Sequence, residues 1–242
     1  MKINAKDLHY RKLNEMIRML LKKGLSVKVN NVCGHRYIGC GLQGDGGIEI
    51  TGTPGNDLAA FMDGPTIKVH GNVQDGVGNT MNKGTVVVYG NAGDLMGYAM
   101  RGGKIFIRGG AGYRTGIHMK SYKDCIPVII VGENTQDYGA EYMAGGIFIT
   151  LGLSRKDKKI PGNFIGTGMH GGILYLRGTV EDHQLGKEVG RAPITPEDWK
   201  TLKSILNEFS GYFKVNTKTF TPKDFVKLVP LNSRPYGKLY AY

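Results

Sequence analysis

The sequence predicts an all-β core: a right-handed, single-stranded parallel β-helix of about seven coils, with α-helices flanking it at both ends. Three observations lead there. Glycine is about twice as frequent as usual, at 38 of 242 residues, with no three-residue period. Those glycines punctuate short runs of Val, Ile and Phe. The runs recur at a fixed interval, which is the mark of a solenoid. The coils divide the chain into an N-terminal helix (1–24), the β-helix (25–180) and a C-terminal helical segment with an extended tail (181–242).

The repeat is read from strands that end in glycine. IEIT ends at Gly52, IKVH at Gly71, VVVY at Gly90 and IFIR at Gly109, and each interval is 19 residues. Later strands end at Gly132, Gly152 and Gly178, at intervals of 23, 20 and 26. The longer coils hold polar inserts, Lys120 to Asp124 and Ser154 to Lys159, which are expected to bulge as loops. Side chains alternate across a strand. Ile48/Ile50, Ile67/Val69, Val86/Val88 and Ile105/Ile107 therefore form an inward ladder, as do Leu174 and Leu176. Glu49, Lys68, Val87 and Phe106 face solvent or a partner. Ile147 to Leu151 is apolar on both faces and leaves its register open by one residue.

A second ladder has the same period. Met62, Met81, Met100, Met119, Met143 and Met169 account for six of the ten methionines. Three residues before each stands Ala59, Gly78, Gly97, Gly116, Ala140 or Gly166. Stacked coils lie about 4.8 Å apart, so equivalent methionines pile along the axis, and flexible thioethers fill irregular core space. The small residues mark corners, where glycine reaches positive φ.

The flanks read differently. Residues 6–23 pattern as an amphipathic helix, with Leu13, Ile17, Leu20 and Leu21 on one face, Met16 beside them and Gly24 as a stop. Ser26 to Val32 alternates like a strand. Thr195-Pro196-Glu197-Asp198 is a helix start, followed by an apolar face of Trp199, Leu202, Ile205, Leu206 and Phe209. Thr221-Pro222-Lys223-Asp224 predicts a second, shorter helix through Phe225, Leu228 and Val229. These flanks are expected to cap the open ends of the β-helix. Pro230 to Tyr242 reads as an extended arm for a partner.

The net charge of +12 suits a solvated surface or an acidic protein partner. No aromatic-interleaved basic motif points to nucleic acid. Cys33, Cys40 and Cys125 form no CxxC pair, so neither a disulfide framework nor a zinc site is predicted. No signal peptide or membrane-length apolar run is seen, and the expected location is the cytoplasm.

No residue set is predicted to be catalytic, cofactor-binding or metal-ligating. Gly39/Gly41/Gly44 and Gly166/Gly168/Gly171 both match GxGxxG, but each leads into a strand, whereas a dinucleotide site opens a helix. His9, His35, His70, His118, His170 and His183 form no HxxxH pair. Asp75 and Asp94, 19 residues apart, are stacked. Paired acids of that kind cleave sugars in some β-helices. Turn aspartates accepting backbone N–H bonds explain them more simply, and Asp137 before Tyr138 is placed alike.

The unit G-x-x-x-G-x-x-M-x-G-G, followed by an aliphatic strand and Gly, resembles the GXGXG domain of glutamate synthase, a domain that also forms one of the subunits of formylmethanofuran dehydrogenase. The stretches GNAGDLMGYAMRGGKIFIRG, QDYGAEYMAGGIFITLG and GNFIGTGMHGGILYL carry the resemblance. NVCGHRYIGCGL, with Arg36 and Gly39, is similar to that domain's opening segment, and FTPKDFVKLVP to its close. The resemblance spans roughly residues 26–230 and implies a scaffold between other catalytic parts. Those parts are a class II glutamine amidotransferase subunit and an FMN-binding synthase subunit with an iron–sulfur cluster. The chain starts Met1-Lys2, without the amidotransferase's N-terminal Cys, and has no cluster-binding cysteines. It is therefore expected to be a separate subunit, inactive alone, with no cofactor of its own and with self-association open. Equivalent scaffolds of formylmethanofuran dehydrogenase or of an N-methylglutamate synthase-like complex are the alternatives.

Overall fold

A computed structural model describes residues 1–232. Its strands join one 11-stranded sheet. They are β1 (Lys2–Asn4), β2 (Val27–Cys33), β3 (Gly47–Thr53), β4 (Asp63–His70), β5 (Lys83–Val88), β6 (Lys104–Ile107), β7 (Val128–Val131), β8 (Ala144–Thr150), β9 (Gly171–Arg177), β10 (Val189–Ala192) and β11 (Phe225–Pro230). From β1 to β9 every neighbour is parallel and follows in chain order, as a solenoid requires. The solenoid makes about six turns, not the seven expected from the glycine spacing. Seven glycine-ended strands, β3 to β9, enclose only six intervals. After Gly178 the chain leaves the repeat, and the next strand to pair with β9 is the antiparallel β11.

The register bears out the aliphatic ladder. Ile48, Ile67, Val86, Ile105 and Ile129 are successive partners, as are Ile50, Val69, Val88, Ile107 and Val131. All belong to one continuous core, which also holds the six ladder methionines, each fully buried. A further inward column, Leu58, Val77, Met96, Thr115, Gly139 and Ile165, lies four residues before each ladder methionine and is likewise buried, and Ile38 stands in the same relation to Leu42, which takes the ladder place in the first coil. The open register at β8 resolves against hydrophobicity. Phe148 and Thr150 pair with Leu174 and Leu176 on the inside, and Ile147, Ile149 and Leu151 point outward.

The helix α2 (Pro196–Phe213) explains that choice. Its Leu202, Ile205, Leu206 and Phe209 pack on the outward residues Val87, Phe106, Ile130, Ile149 and Tyr175 in a second core. The outer face of β5 to β9 is therefore covered by the chain itself. The helix starts as its signal predicts: Thr195 is the N-cap, with a reciprocal capping box to Asp198.

The N-terminal helix α1 (Tyr10–Lys22) is shorter than its periodicity suggested, with His9 as N-cap and Gly24 at φ +72° just past its end. Leu13 and Ile17 are buried in the solenoid core, so α1 closes that end, and β1 adds a parallel strand to β2 that alternation did not reveal. The other end departs from expectation. The Thr221-Pro222-Lys223-Asp224 signal makes only a single 3-10 turn, Pro222–Asp224, and Phe225, Leu228 and Val229 lie on strand β11. A capping box serves any short turn, and pairing with β9 and β10 outweighed continuation of the helix. The C-terminal cap is thus an antiparallel strand pair, with α2 on the flank. Most of the arm expected from Pro230 onward, residues 233–242, lies outside the described residues.

Candidate functional site

Each coil turns at one corner whose backbone is repeated almost unchanged. Counting back from the ladder methionine, residues five, three and one before it have positive φ. Leu95, Gly97 and Ala99 lie at +57°, +71° and +50°; Arg114, Gly116 and His118 at +55°, +77° and +55°; Tyr138, Ala140 and Tyr142 at +63°, +59° and +51°. Alternating hands send successive N–H groups in opposite directions along the axis. Leu95 and Ala99 donate forward to Tyr113 O and Ile117 O, whereas Gly97 and Arg101 donate back to Val77 O and Met81 O. Each corner between the first and the last is thereby bonded to both neighbours, which offsets the cost of left-handed backbone.

The middle position must be small. A Cβ at Gly97 would lie 2.3 Å from Ile129 Cδ1, two coils on, and one at Gly78 2.4 Å from Ile105 Cδ1. Where the chain places Ala59 in this position, the corresponding inward residue is the shorter Val86. The outer two positions face outward and form a ridge along the solenoid. Tyr37, Phe61, Leu95 and Phe164 stand there 40%, 55%, 39% and 48% exposed, with Tyr98 and Tyr113 beside them. Neighbouring coils stack: Tyr138 on Phe164 at 4.8 Å, His118 on Tyr142 at 5.4 Å, and Arg114 over Tyr138 at 5.1 Å. Arg114 also holds the mostly buried Glu141 at 2.9 Å. Bulky residues at positive φ are outliers in ordinary chains. Here they stand along one edge, interspersed with Asp57, Thr80, Arg114 and His118.

The stacked acids are structural. Asp75 Oδ1 accepts the N–H of Asp94 at 2.9 Å, Asp94 Oδ1 that of Tyr113 at 2.8 Å, and Asp137 Oδ1 that of Asn163 at 2.8 Å. Asn72 and Asn91 do the same for Asn91 and Gly110, each at 2.9 Å. Each side chain joins its coil to the next.

The most perturbed titrating groups lie under α2. Asp198 accepts from Tyr175 Oη at 2.7 Å, Lys227 Nζ at 2.6 Å and Thr195 N at 2.8 Å. Burial alone would raise its carboxyl, but the bonds from Lys227, Tyr175 and Thr195 outweigh burial and hold it well below the usual carboxylate range. Burial, then the Asp198 carboxylate, push the Tyr175 hydroxyl far up. The cluster ties helix, β9 and β11 together. Nothing in the sequence singles it out, because its members are 23 and 29 residues apart in the chain. The capping box around Asp198 is the only local signal.

The other residues with potential chemistry stay apart. Both GxGxxG matches are corners, with Gly39, Gly41, Gly44, Gly166 and Gly168 all at positive φ, followed by β3 and β9. His70 stacks on Tyr89 at 4.7 Å and meets Glu49 at 2.9 Å on the outer face. His35 bonds Leu8 O at 3.0 Å. Cys33, Cys40 and Cys125 are free thiols, and burial raises that of Cys40. Among the described residues no three His, Cys, Asp or Glu side chains could share a metal ion, and no helix is long and apolar enough to cross a membrane.

Residues 12–231 match the family model of the GXGXG motif, the domain found in glutamate synthase. The chain is also 50% identical over 249 aligned positions to the uncharacterized protein MJ1350 of Methanocaldococcus jannaschii, with 98% of this chain and 95% of that protein covered. A repeat whose corners, ladder methionines and strand glycines recur from end to end, matched along nearly its whole length, belongs to the GXGXG motif family.

Proposed function

We propose that this chain is a non-catalytic scaffold subunit of a glutamate synthase-like complex, which forms glutamate from glutamine and 2-oxoglutarate in the cytoplasm. It positions a class II glutamine amidotransferase subunit and an FMN-binding synthase subunit that carries an iron–sulfur cluster. The observation that carries this reading is the corner ridge. Glycine would relieve about 1–2 kcal/mol of backbone strain at each outer corner position. The sequence holds Gly41, Gly76 and Gly168 at three of these positions, but Tyr37, Phe61, Leu95, Tyr138, Tyr142 and Phe164 at six others. Such side chains are well suited to burial in an interface. Family membership supports a glutamate synthase-like association, and the +12 net charge suits acidic partners.

Co-purification from native cells tests the proposal. The wild-type chain is expected to bring down both subunits. Leu95→Asn with Phe164→Asn, in which each new residue tolerates positive φ, should reduce their recovery by about tenfold or more, since loss of two buried anchors costs at least about 1.4 kcal/mol. The Tm of the isolated chain should hold. Recovery of neither subunit refutes the reading. Recovery of a molybdenum or tungsten subunit replaces it with the formylmethanofuran dehydrogenase alternative.

A further inference from the structure

A cavity of about 100 Å³ lies where three segments meet: the polar insert after β8, the end of β9 and the Pro222–Asp224 turn. The meeting is tight. Lys158 O accepts the N–H of Thr179 at 2.8 Å, Gly178 donates to Asp224 O at 3.0 Å, and Thr179 O accepts from Ile160 at 2.9 Å. A Cβ at Gly178 would lie 2.2 Å from Lys158 O, so only glycine permits this approach.

The wall is strongly cationic. Arg155, Lys158, Lys159, Arg177 and Lys223 line it, against Asp224 alone. Asp157 holds Arg155 from outside at 3.3 Å. Asp224 is engaged in its own turn, where it accepts from Thr221 N at 2.8 Å and Oγ1 at 2.9 Å, and Lys158 Nζ stands 3.9 Å off. Arg177 is fixed in place: its guanidinium carbon sits 4.2 Å from the Phe220 ring centre, and Nη1 donates to Leu151 O at 2.9 Å. Its Nε is buried and meets no acceptor. A native fold leaves few buried donors unmet, and each one asks for a missing partner.

We infer that this cavity binds a small oxyanion, a phosphate or carboxylate group, with Arg177 as its fixed donor and Lys159 and Lys223 as mobile charges at its mouth. A guanidinium held against an aromatic face presents its N–H groups in a set plane, and lysines add charge without fixed direction. The family match and the docking ridge play no part in this inference, which stands or falls separately from the scaffold reading.

The test uses the full chain and titrates inorganic phosphate and, separately, succinate by thermal shift and calorimetry, with sodium chloride at matched ionic strength as reference. The expected result is saturable binding of at least one of the two, accompanied by a rise in Tm that chloride does not produce. The anion that saturates at lower concentration identifies the group. Lys159→Gln with Lys223→Gln, both at exposed positions, should leave the Tm without anion unchanged and weaken binding about tenfold or more. Two results overturn the inference: phosphate and succinate acting no differently from chloride, or undiminished binding by the double variant.

Discussion

Replacing Asp198 by Asn changes one oxygen to an amide nitrogen and should detach α2 from the sheet it covers. The magnitude follows from what is left behind. Lys227 Nζ, on a side chain only 12% exposed, loses its counter-charge at 2.6 Å. Tyr175, fully buried, loses the acceptor of its hydroxyl or shares it with Thr195 N. Breaking a buried pair from one side costs about 3–5 kcal/mol. An isosteric amide that keeps some of the bonds should fall near the lower figure, roughly 3 kcal/mol. Trp199, the chain's single tryptophan, follows Asp198 in the helix and packs toward Phe225, so its fluorescence in a urea titration reports release of α2. The effect has a pH signature. The carboxyl of Asp198 is depressed in the folded chain, so its contribution is present above the unfolded value of about 3.9 and is lost as pH falls toward the lower folded value. The gap between wild type and Asp198→Asn should therefore be widest at about pH 5–7 and shrink steadily below about pH 4. A gap under about 1 kcal/mol at neutral pH, the size of one ordinary hydrogen bond, or one that stays constant down the acid range, refutes the coupling.

Further changes follow from the packing and from the bonds between coils. Gly97→Ala adds a Cβ 2.3 Å from Ile129 Cδ1 at φ +71° and should cost about 2–4 kcal/mol in denaturant midpoint analysis. Ile129→Val removes that methyl and should recover part of the loss, as the Ala59 and Val86 combination implies. Met100→Ala empties a fully buried ladder position and should cost about 2–5 kcal/mol by the same measurement, with little effect on any surface contact. Asp94→Ala removes the acceptor of Tyr113 N and should lower stability by about 1 kcal/mol, seen as a small fall in Tm. Asp75→Asn and Asp94→Asn should leave any trace of sugar hydrolysis in the preparation unchanged, and loss of such activity would return these acids to a catalytic role.

The repeat is legible because a solenoid writes its period directly into the chain. Nineteen-residue spacing alone places the aliphatic ladder and the methionines on the inside, where the core holds them. What the spacing misses is decided by distant parts of the chain. The register of β8 cannot be read locally because Ile147, Ile149 and Leu151 are more apolar as a set than Phe148 and Thr150, and only the arrival of α2 makes the outer face a second core. Strand β11 is hidden by a helix-start signal whose continuation loses to pairing with β9. The ridge is half visible. The small middle residue of each corner stands out, but the positive φ on either side falls mostly on residues such as Tyr, Phe, Leu and Arg, types that announce no turn. The cluster at Asp198 and the cationic cavity each join segments that the sequence separates.

The alternating corner also sets a scale of length. Tyr37 and Phe164 occupy the same corner position six coils apart, which at about 4.8 Å per coil places them roughly 29 Å from one another. The polar inserts lengthen the contour of a coil but add nothing to its rise, because the backbone bonds between coils stay the same. The two ends of the ridge are therefore held at a separation counted in whole coils. Loops can grow or shrink without altering it, and only the gain or loss of an entire repeat would change the reach of this molecular ruler.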